Sequence, residues 1–361
     1  MHLLAKRRLD RWALQAAARE LMESERVAWC LRRPGFDPVT RKSYREILVM
    51  YSERVHRAHY KNLMVCGSVW MCPICAGKVT ERRRVELTQA IDQNDFQIAL
   101  VTFTLQHSKT DKLSVVLGAE LEAYRYLKSG RHWKEFVGDY GMAGSIRSLE
   151  VTVGENGWHP HLHVLPFFKA GLNLRGIEDD FKGMWRAALE HFERSASWQR
   201  GVDFRNAEKD VAEYVAKFNH EPINLKRPGK WTMEHELTKS QAKISKGAGG
   251  RTPLQLLADF VHGDKASGRL WQEFAKSFKG KRQLVWSRGL RDVLGLGVEE
   301  SDQTLAVRED EQARLLASLS LRQWRIVLGN DARGELLEVA SSGDEVQLYQ
   351  FLRTIGAAVE K

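Results

Sequence analysis

Three histidines alternate with other residues in Trp158-His159-Pro160-His161-Leu162-His163-Val164-Leu165. In an extended strand this spacing sends all three imidazoles to one face, because side chains alternate with a period of two. Neutral imidazole binds divalent metals, and two rings on successive same-face positions can share one ion if a carboxylate joins them from a neighbouring strand. Glu150, in Ile146-Arg147-Ser148-Leu149-Glu150-Val151-Thr152-Val153, is a candidate for that carboxylate. The intervening Gly154-Glu155-Asn156-Gly157 reads as a hairpin turn, which would fold Glu150 back beside the histidines.

A second set of reactive side chains lies further along. Ala207-Glu208-Lys209-Asp210-Val211-Ala212-Glu213-Tyr214-Val215-Ala216-Lys217-Phe218 has helical spacing, and Asp210, Tyr214 and Lys217 share a face at intervals of four and three. A tyrosine hydroxyl that attacks a phosphodiester needs in-line placement, neutralisation of the phosphoryl oxygens and relief of its high pKa. A divalent ion on His161 and His163 would polarise the scissile phosphate. Lys217 would stabilise the phenolate or the phosphate, and Asp210 or Glu213 would later activate a water or a strand 3′-hydroxyl. The product would be a nicked strand joined to protein, with a free 3′-hydroxyl. Because the target must leave the duplex stack to reach such a pocket, an unpaired loop is the natural substrate.

The 4 cysteines form no disulfide scaffold in a chain this long, and their clustering points to metal. Cys72 and Cys75 make a Cys-x-x-Cys knuckle, with Cys66 shortly upstream. Four thiolates are the usual closed set for structural Zn²⁺, and Cys30 would complete it, with His56 or His59 as competitors for the fourth place. A redox role for the knuckle would not need the extra thiols. Arg82, Arg83 and Arg84 follow on a helix expected over 79–91, where they would meet phosphate.

The elements that must position these groups follow from periodicity. Basic amphipathic spacing suggests a helix over 4–25, and the β-branched and aromatic run 97–105 reads as a buried strand. A helix over 113–136, the strand 145–153, the histidine strand to 168, a helix over 177–195 and a short strand at 202–204 come next. The order β-α-β-β-α-β suggests an α+β domain with a ferredoxin-like, RRM-like antiparallel sheet, the first strand and the histidine strand being central neighbours. Residues 219–250 read as linker, and 254–296 as mostly helical, with Lys279, Lys281 and Arg282 among aromatic residues in a pattern suited to nucleic acid. The expected division is an N-terminal helical and Cys-rich zinc region (1–95), a catalytic domain (96–225), and a linker with a mostly helical, DNA-binding C-terminal region (226–361). With 361 residues, 43% hydrophobic and 28% charged, the chain is of globular type. A net charge of +10 and a pI near 9.4 favour polyanionic partners, nucleic acid first. No apolar run reaches the length of a bilayer span and no signal peptide opens the chain, so a cytoplasmic protein with no membrane partner is expected.

Together, Gly157 to Leu165, preceded by Arg147-Ser148-Leu149-Glu150-Val151-Thr152 and followed by Val211 to Lys217, resemble the motif set of rolling-circle replication initiators. More narrowly, they resemble the single-tyrosine plasmid type among the His-hydrophobe-His (HUH) endonucleases. Val101-Thr102-Phe103-Thr104-Leu105 is similar to the family's first motif, Cys72 to Cys75 to its cysteine region, and Leu284 to Arg291 to a downstream block of some members, so the likeness covers residues 60–300. The resemblance implies His161 and His163 as metal ligands, with Glu150 or His159 as the third. It implies Tyr214 as nucleophile and Lys217 as its helper. Asp210 stands where the family carries an acid for termination, more often Glu, which keeps Glu213 as a rival. The implied catalytic ion is Mg²⁺ or Mn²⁺. The implied partners are plasmid origin DNA, unpaired or in a hairpin at the nick site, and host helicase and replication machinery. A related HUH transposase and a non-catalytic zinc-containing DNA-binding regulator are the alternative readings.

Overall fold

A computed structural model describes residues 3–92, 95–172, 176–206 and 250–358. The protein is α+β, with two antiparallel sheets. In chain order the strands are β1 (Glu46–Ser52), β2 (Arg57–Lys61), β3 (Gln97–Phe103), β4 (Gly144–Gly154), β5 (Gly157–Phe168), β6 (Val202–Asn206), β7 (Leu284–Trp286) and β8 (Arg314–Ser320). The chain folds as two units, one of Met1–Val79, Phe260–Gly263 and Glu300–Lys361, the other of Thr80–Asp259 and Asp264–Glu299. Residues 226–361 therefore do not make one helical region: β7 joins β4, whereas β8 pairs with β1. No helix among the described residues is long and apolar enough to cross a membrane.

The first unit is built on the sheet β2-β1-β8. Alternation buries Ile47, Val49 and Tyr51 on one face of β1. On the neighbouring strand the Tyr60 ring meets Trp324 edge-on at 5.0 Å and Trp12 at 6.4 Å. The Trp324 indole N–H donates to the Arg32 carbonyl at 2.7 Å, which satisfies its polar edge inside the core. The helix that carries Trp324, Leu321–Gly329, starts with a reciprocal Ser320–Gln323 capping box.

The second unit carries the sheet β6-β3-β5-β4-β7, with β3 and β5 at its centre as expected. The helical run expected over 113–136 is two helices, Leu113–Ser129 and Arg131–Asp139, because Gly130 adopts an extended backbone between them. One face of the sheet is covered by these helices and Ile177–Glu190: Phe103 meets Trp185 at 5.1 Å and Phe181 at 5.8 Å, and Phe136 lies against Phe168. The other face changes character along β5. Its inner half, Leu165 and Phe167 with Ile146, Ile98 and Leu100, is sealed by Leu87, Ala90, Trp286, Leu290 and Leu294. Burying Leu165 and Phe167 contributes about 1.5–3 kcal/mol each. A one-residue slip of β5 would turn Leu165 and Phe167 out of that core and the histidines to the opposite, helix-covered face, so the burial sets the register that presents them.

Candidate active site and metal centre

The outer half of that same face carries the imidazoles. In the β4–β5 ladder Thr152, Glu150 and Ser148 stand opposite His159, His161 and His163, and in the β3–β5 ladder Thr102 stands opposite His163. Directly paired residues share a face, so all three rings, Glu150 and Thr102 lie together. The rings of His159 and His161 are 4.2 Å apart at 80°, and those of His161 and His163 are 5.9 Å apart and nearly parallel. His163, 4% exposed, is held at both nitrogens: Nε2 lies 2.8 Å from Glu150 Oε2, and Nδ1 3.0 Å from Thr102 Oγ1. Glu150 reaches His163 diagonally across the pair, although its backbone register partner is His161.

A fourth imidazole, absent from the sequence reading, joins the cluster. His107 Nε2 lies 2.7 Å from His159 Nδ1. The loop bearing His107 closes onto the hairpin at Gly157, whose φ is +88° and whose Cβ, if present, would stand 3.0 Å from Lys109 Cα and the Ser108 carbonyl oxygen. Any side chain at 157 would push that loop away. A lone histidine after a strand has no periodicity, so nothing in the pattern singles out His107.

Burial, reinforced by His107, lowers the His159 pKa to about 4, and burial with the surrounding His159, His163 and His107 holds His161 well below the usual imidazole range. Both rings are neutral at pH 7, with lone pairs available to a cation. His161 Nδ1 is buried and has no hydrogen-bond partner among the described residues. An orphaned imidazole nitrogen beside a second imidazole and a carboxylate is a donor set that suits a divalent ion. Tyr214, Lys217, Asp210 and Glu213 lie outside the described residues.

The thiol group of the first unit is more compact. Cys30, Cys66, Cys72 and Cys75 are buried, and their sulfurs all lie within 4.8 Å of one another. The Cys30–Cys75, Cys66–Cys75 and Cys30–Cys72 separations are 3.5, 3.6 and 3.8 Å. A tetrahedron with Zn–S near 2.3 Å has edges of about 3.8 Å, so this group can hold a metal such as Zn²⁺. Hydrogen bonding to Cys66, Cys72 and Cys75, together with burial, pushes the Cys30 thiol well up. Burial alone would also raise Cys72, but the surrounding thiols pull it down. Cys30 is the fourth member of the set; His56 contacts Tyr51 at 3.2 Å and His59 faces Glu309 at 3.6 Å.

Two further residues support the thiols. Gln15 Nε2 lies 3.7 Å from Cys72 Sγ and donates to the Cys30 carbonyl at 3.1 Å. Arg333, 1% exposed, donates to Gln15 Oε1 at 2.9 Å and to the Leu31 carbonyl at 3.2 Å, while its guanidinium sits 4.8 Å over the Trp12 ring. Burial, then repulsion from Arg32, brings its pKa down to about 10. Such contacts across hundreds of residues leave no local signal in a sequence.

The basic helix behaves differently from the expectation of a phosphate-binding face. Arg83 is buried and paired with Glu86 at 3.1 Å and Glu299 at 3.4 Å, and Arg84 pairs with Glu81 at 2.7 Å. Arg82 has a buried guanidinium nitrogen. These cations are largely committed to internal partners, one of which, Glu299, is remote in sequence. Lys279, Lys281 and Arg282 are exposed before β7, with Arg282 3.6 Å from Glu299.

Comparison with known proteins places these features in a family. The family model described as Replication protein matches residues 58–327. Protein rep of Streptomyces lividans is 30% identical, with 66% of each chain covered, and Neomycin resistance protein of Streptomyces cyanogenus is 35% identical over 131 residues. The match spans about 66% of the first relative's length and 30% of the second's. No solved structure matches. The family match takes in β2, the Cys66–Cys72–Cys75 cluster, the whole histidine sheet and β8, and the chain belongs to the replication protein family.

Proposed function

We propose that this chain initiates rolling-circle replication by nicking one strand of a plasmid origin with Tyr214. The observation that carries the reading is the central strand of a replication-family protein that sets His161 and His163 beside Glu150 on one face. The order β6-β3-β5-β4, with helices between β3 and β4 and between β5 and β6, supports a ferredoxin-like, RRM-like unit within residues 96–225. Such a sheet presents its middle strand to the substrate, with the four thiols of the first unit as the zinc site and Lys279, Lys281 and Arg282, before β7, as DNA contacts.

When bound at His161, His163 and Glu150, Mg²⁺ or Mn²⁺ would supply neutralisation of the phosphoryl oxygens. His159 orients toward His107 and, after burial, helps hold His161 in its neutral form. Thr102 orients the His163 ring through Nδ1, and the hydrogen bond that joins His163 Nε2 to Glu150 would give way to a bound ion. The Tyr214 oxygen bonds to the scissile phosphorus as the bond from phosphorus to the 3′-oxygen breaks, and that oxygen takes up a proton to end as a free 3′-hydroxyl. Lys217, three positions beyond the tyrosine, stabilises the phenolate, and Asp210 or Glu213 activates the second nucleophile that releases the strand. The substrate is the unpaired or hairpin strand at the origin, and the free 3′-hydroxyl is handed to host helicase and polymerase.

The test is a denaturing gel of labelled single-stranded origin oligonucleotide incubated with Mn²⁺ and either wild type or Tyr214→Phe. A protein-linked band in wild type alone is expected. An equal band in the variant would overturn the assignment of the nucleophile.

A further inference from the structure

The first unit carries a hairpin of unusual composition: Arg33-Pro34-Gly35-Phe36-Asp37-Pro38-Val39-Thr40-Arg41-Lys42-Ser43-Tyr44-Arg45. Its legs are held by a Phe36–Ser43 bridge, by Asp37 N donating to the Lys42 carbonyl at 2.9 Å and by Tyr44 N donating to the Gly35 carbonyl at 3.0 Å. Its foot is stitched to 62–64 through Gly35 N to the Asn62 carbonyl and Met64 N to the Arg33 carbonyl, at 2.8 and 2.9 Å. A Cβ on Gly35 would lie 3.3 Å from the Leu63 carbonyl carbon, so glycine lets the two segments meet this closely. The one carboxylate of the hairpin is spent on its own turn, Asp37 Oδ1 accepting from Val39 N and Thr40 N at 2.8 Å.

What this frame holds outward is apolar and cationic. Phe36 is 71% exposed and Val39 88%. Arg33, Arg41, Lys42 and Arg45 are exposed, and among the described residues none of them has an ion-pair partner; Arg33 rests 4.5 Å over the Trp29 ring. The contrast with Arg83 and Arg84, neutralised by glutamates, is direct. An exposed ring on a braced hairpin offers a flat face at low entropic cost, and unneutralised cations around it fit the repeat of a base flanked by phosphates. In a duplex the base faces are already stacked, so the ring selects unpaired strands.

We propose that the hairpin of residues 33–45 is a contact for single-stranded DNA, in which the Phe36 ring stacks on one base while Arg33, Arg41, Lys42 and Arg45 hold the adjoining phosphates. This contact is independent of Tyr214 and of the histidines, and exists whether or not the chain cleaves. Because the varied side chains are exposed, their substitution leaves the fold and the four-thiol centre intact.

The test uses the full chain in a Tyr214→Phe background and follows fluorescence anisotropy of a labelled oligothymidylate, a blunt duplex of equal length, and phosphatidylserine vesicles. Phe36→Ala is expected to weaken single-strand binding about tenfold, with little change on duplex, and Phe36→Trp to restore it, since one base–aromatic stack is of that size. Arg41→Gln with Lys42→Gln is expected to flatten the dependence of log K on log salt by about 1.4, two phosphates at roughly 0.7 each. Single-strand binding by Phe36→Ala within about twofold of the parent would overturn the proposal, a stack being worth far more. So would equal losses on single strand and duplex, or unchanged DNA binding with a loss on vesicles alone.

Discussion

The thiol cluster and the histidine cluster are both made of metal-binding side chains, yet they are finished to different degrees. Four sulfurs already lie within 4.8 Å of one another, backed by Gln15 and Arg333 from opposite ends of the chain. The imidazoles are spread along a strand at ring spacings of 4.2 and 5.9 Å, and several of their nitrogens bond to one another or to Glu150 and Thr102. The first arrangement is a closed set of four thiols that can hold a metal such as Zn²⁺. The second keeps a nitrogen, His161 Nδ1, without a partner among the described residues. A site that admits a phosphodiester, as proposed for this one, cannot be sealed by its own ligands.

That difference makes the largest predicted effect a structural one. Cys72→Ser, or removal of the ion with a strong chelator, should cost the first unit several kcal/mol of stability, because binding free energy at such centres is folding free energy. Metal analysis and thermal unfolding would check it, and unaltered unfolding with the metal gone would contradict a structural role. Arg333→Leu should be milder: metal affinity falls about 10–100-fold, as for other residues that hold a ligand's neighbour. In the histidine cluster the same type of change should leave folding alone. His107→Ala is expected to raise the Mn²⁺ concentration needed for half-maximal cleavage about 10–100-fold with an unchanged melting temperature. A drop in melting temperature with no change in metal requirement would make His107 a packing residue.

The last effect is that of pH. The His159 pKa is about 4 in the fold against about 6.5 in an unfolded chain, so the folded state binds fewer protons. Stability from this group is complete above about pH 7 and is lost as pH falls from about 6.5 towards 4. Melting temperatures over that range should decline less steeply in His159→Gln than in wild type. Identical slopes would remove His159 from the linkage.

Much of the second unit was legible in the sequence. The Asn156-Gly157 turn between two long apolar runs, and the period-two histidines, foretell a hairpin that brings Glu150 to the imidazoles, and the register agrees. The three-stranded sheet of the first unit was not legible, because β1 has no nearby partner other than β2 and is completed by β8, far away in the chain. The strand β7 is three residues long within a stretch of helical pattern, too short for periodicity to reveal. Cys30 could be suspected from its thiol alone, but Gln15 and Arg333 act only through the fold. The basic run Arg82 to Arg84 misleads for the same reason: its partner Glu299 is invisible until the chain folds.

The most direct measurement maps the covalent link. Protein trapped on single-stranded origin DNA is digested with trypsin and nuclease, and the peptide that carries a residual nucleotide is identified by mass spectrometry. The expected carrier is the peptide from Asp210 to Lys217, modified at Tyr214, with no carrier from His161→Ala protein. A nucleotide on any other peptide, or an undiminished link in His161→Ala, would contradict the union of tyrosine and imidazoles in one site.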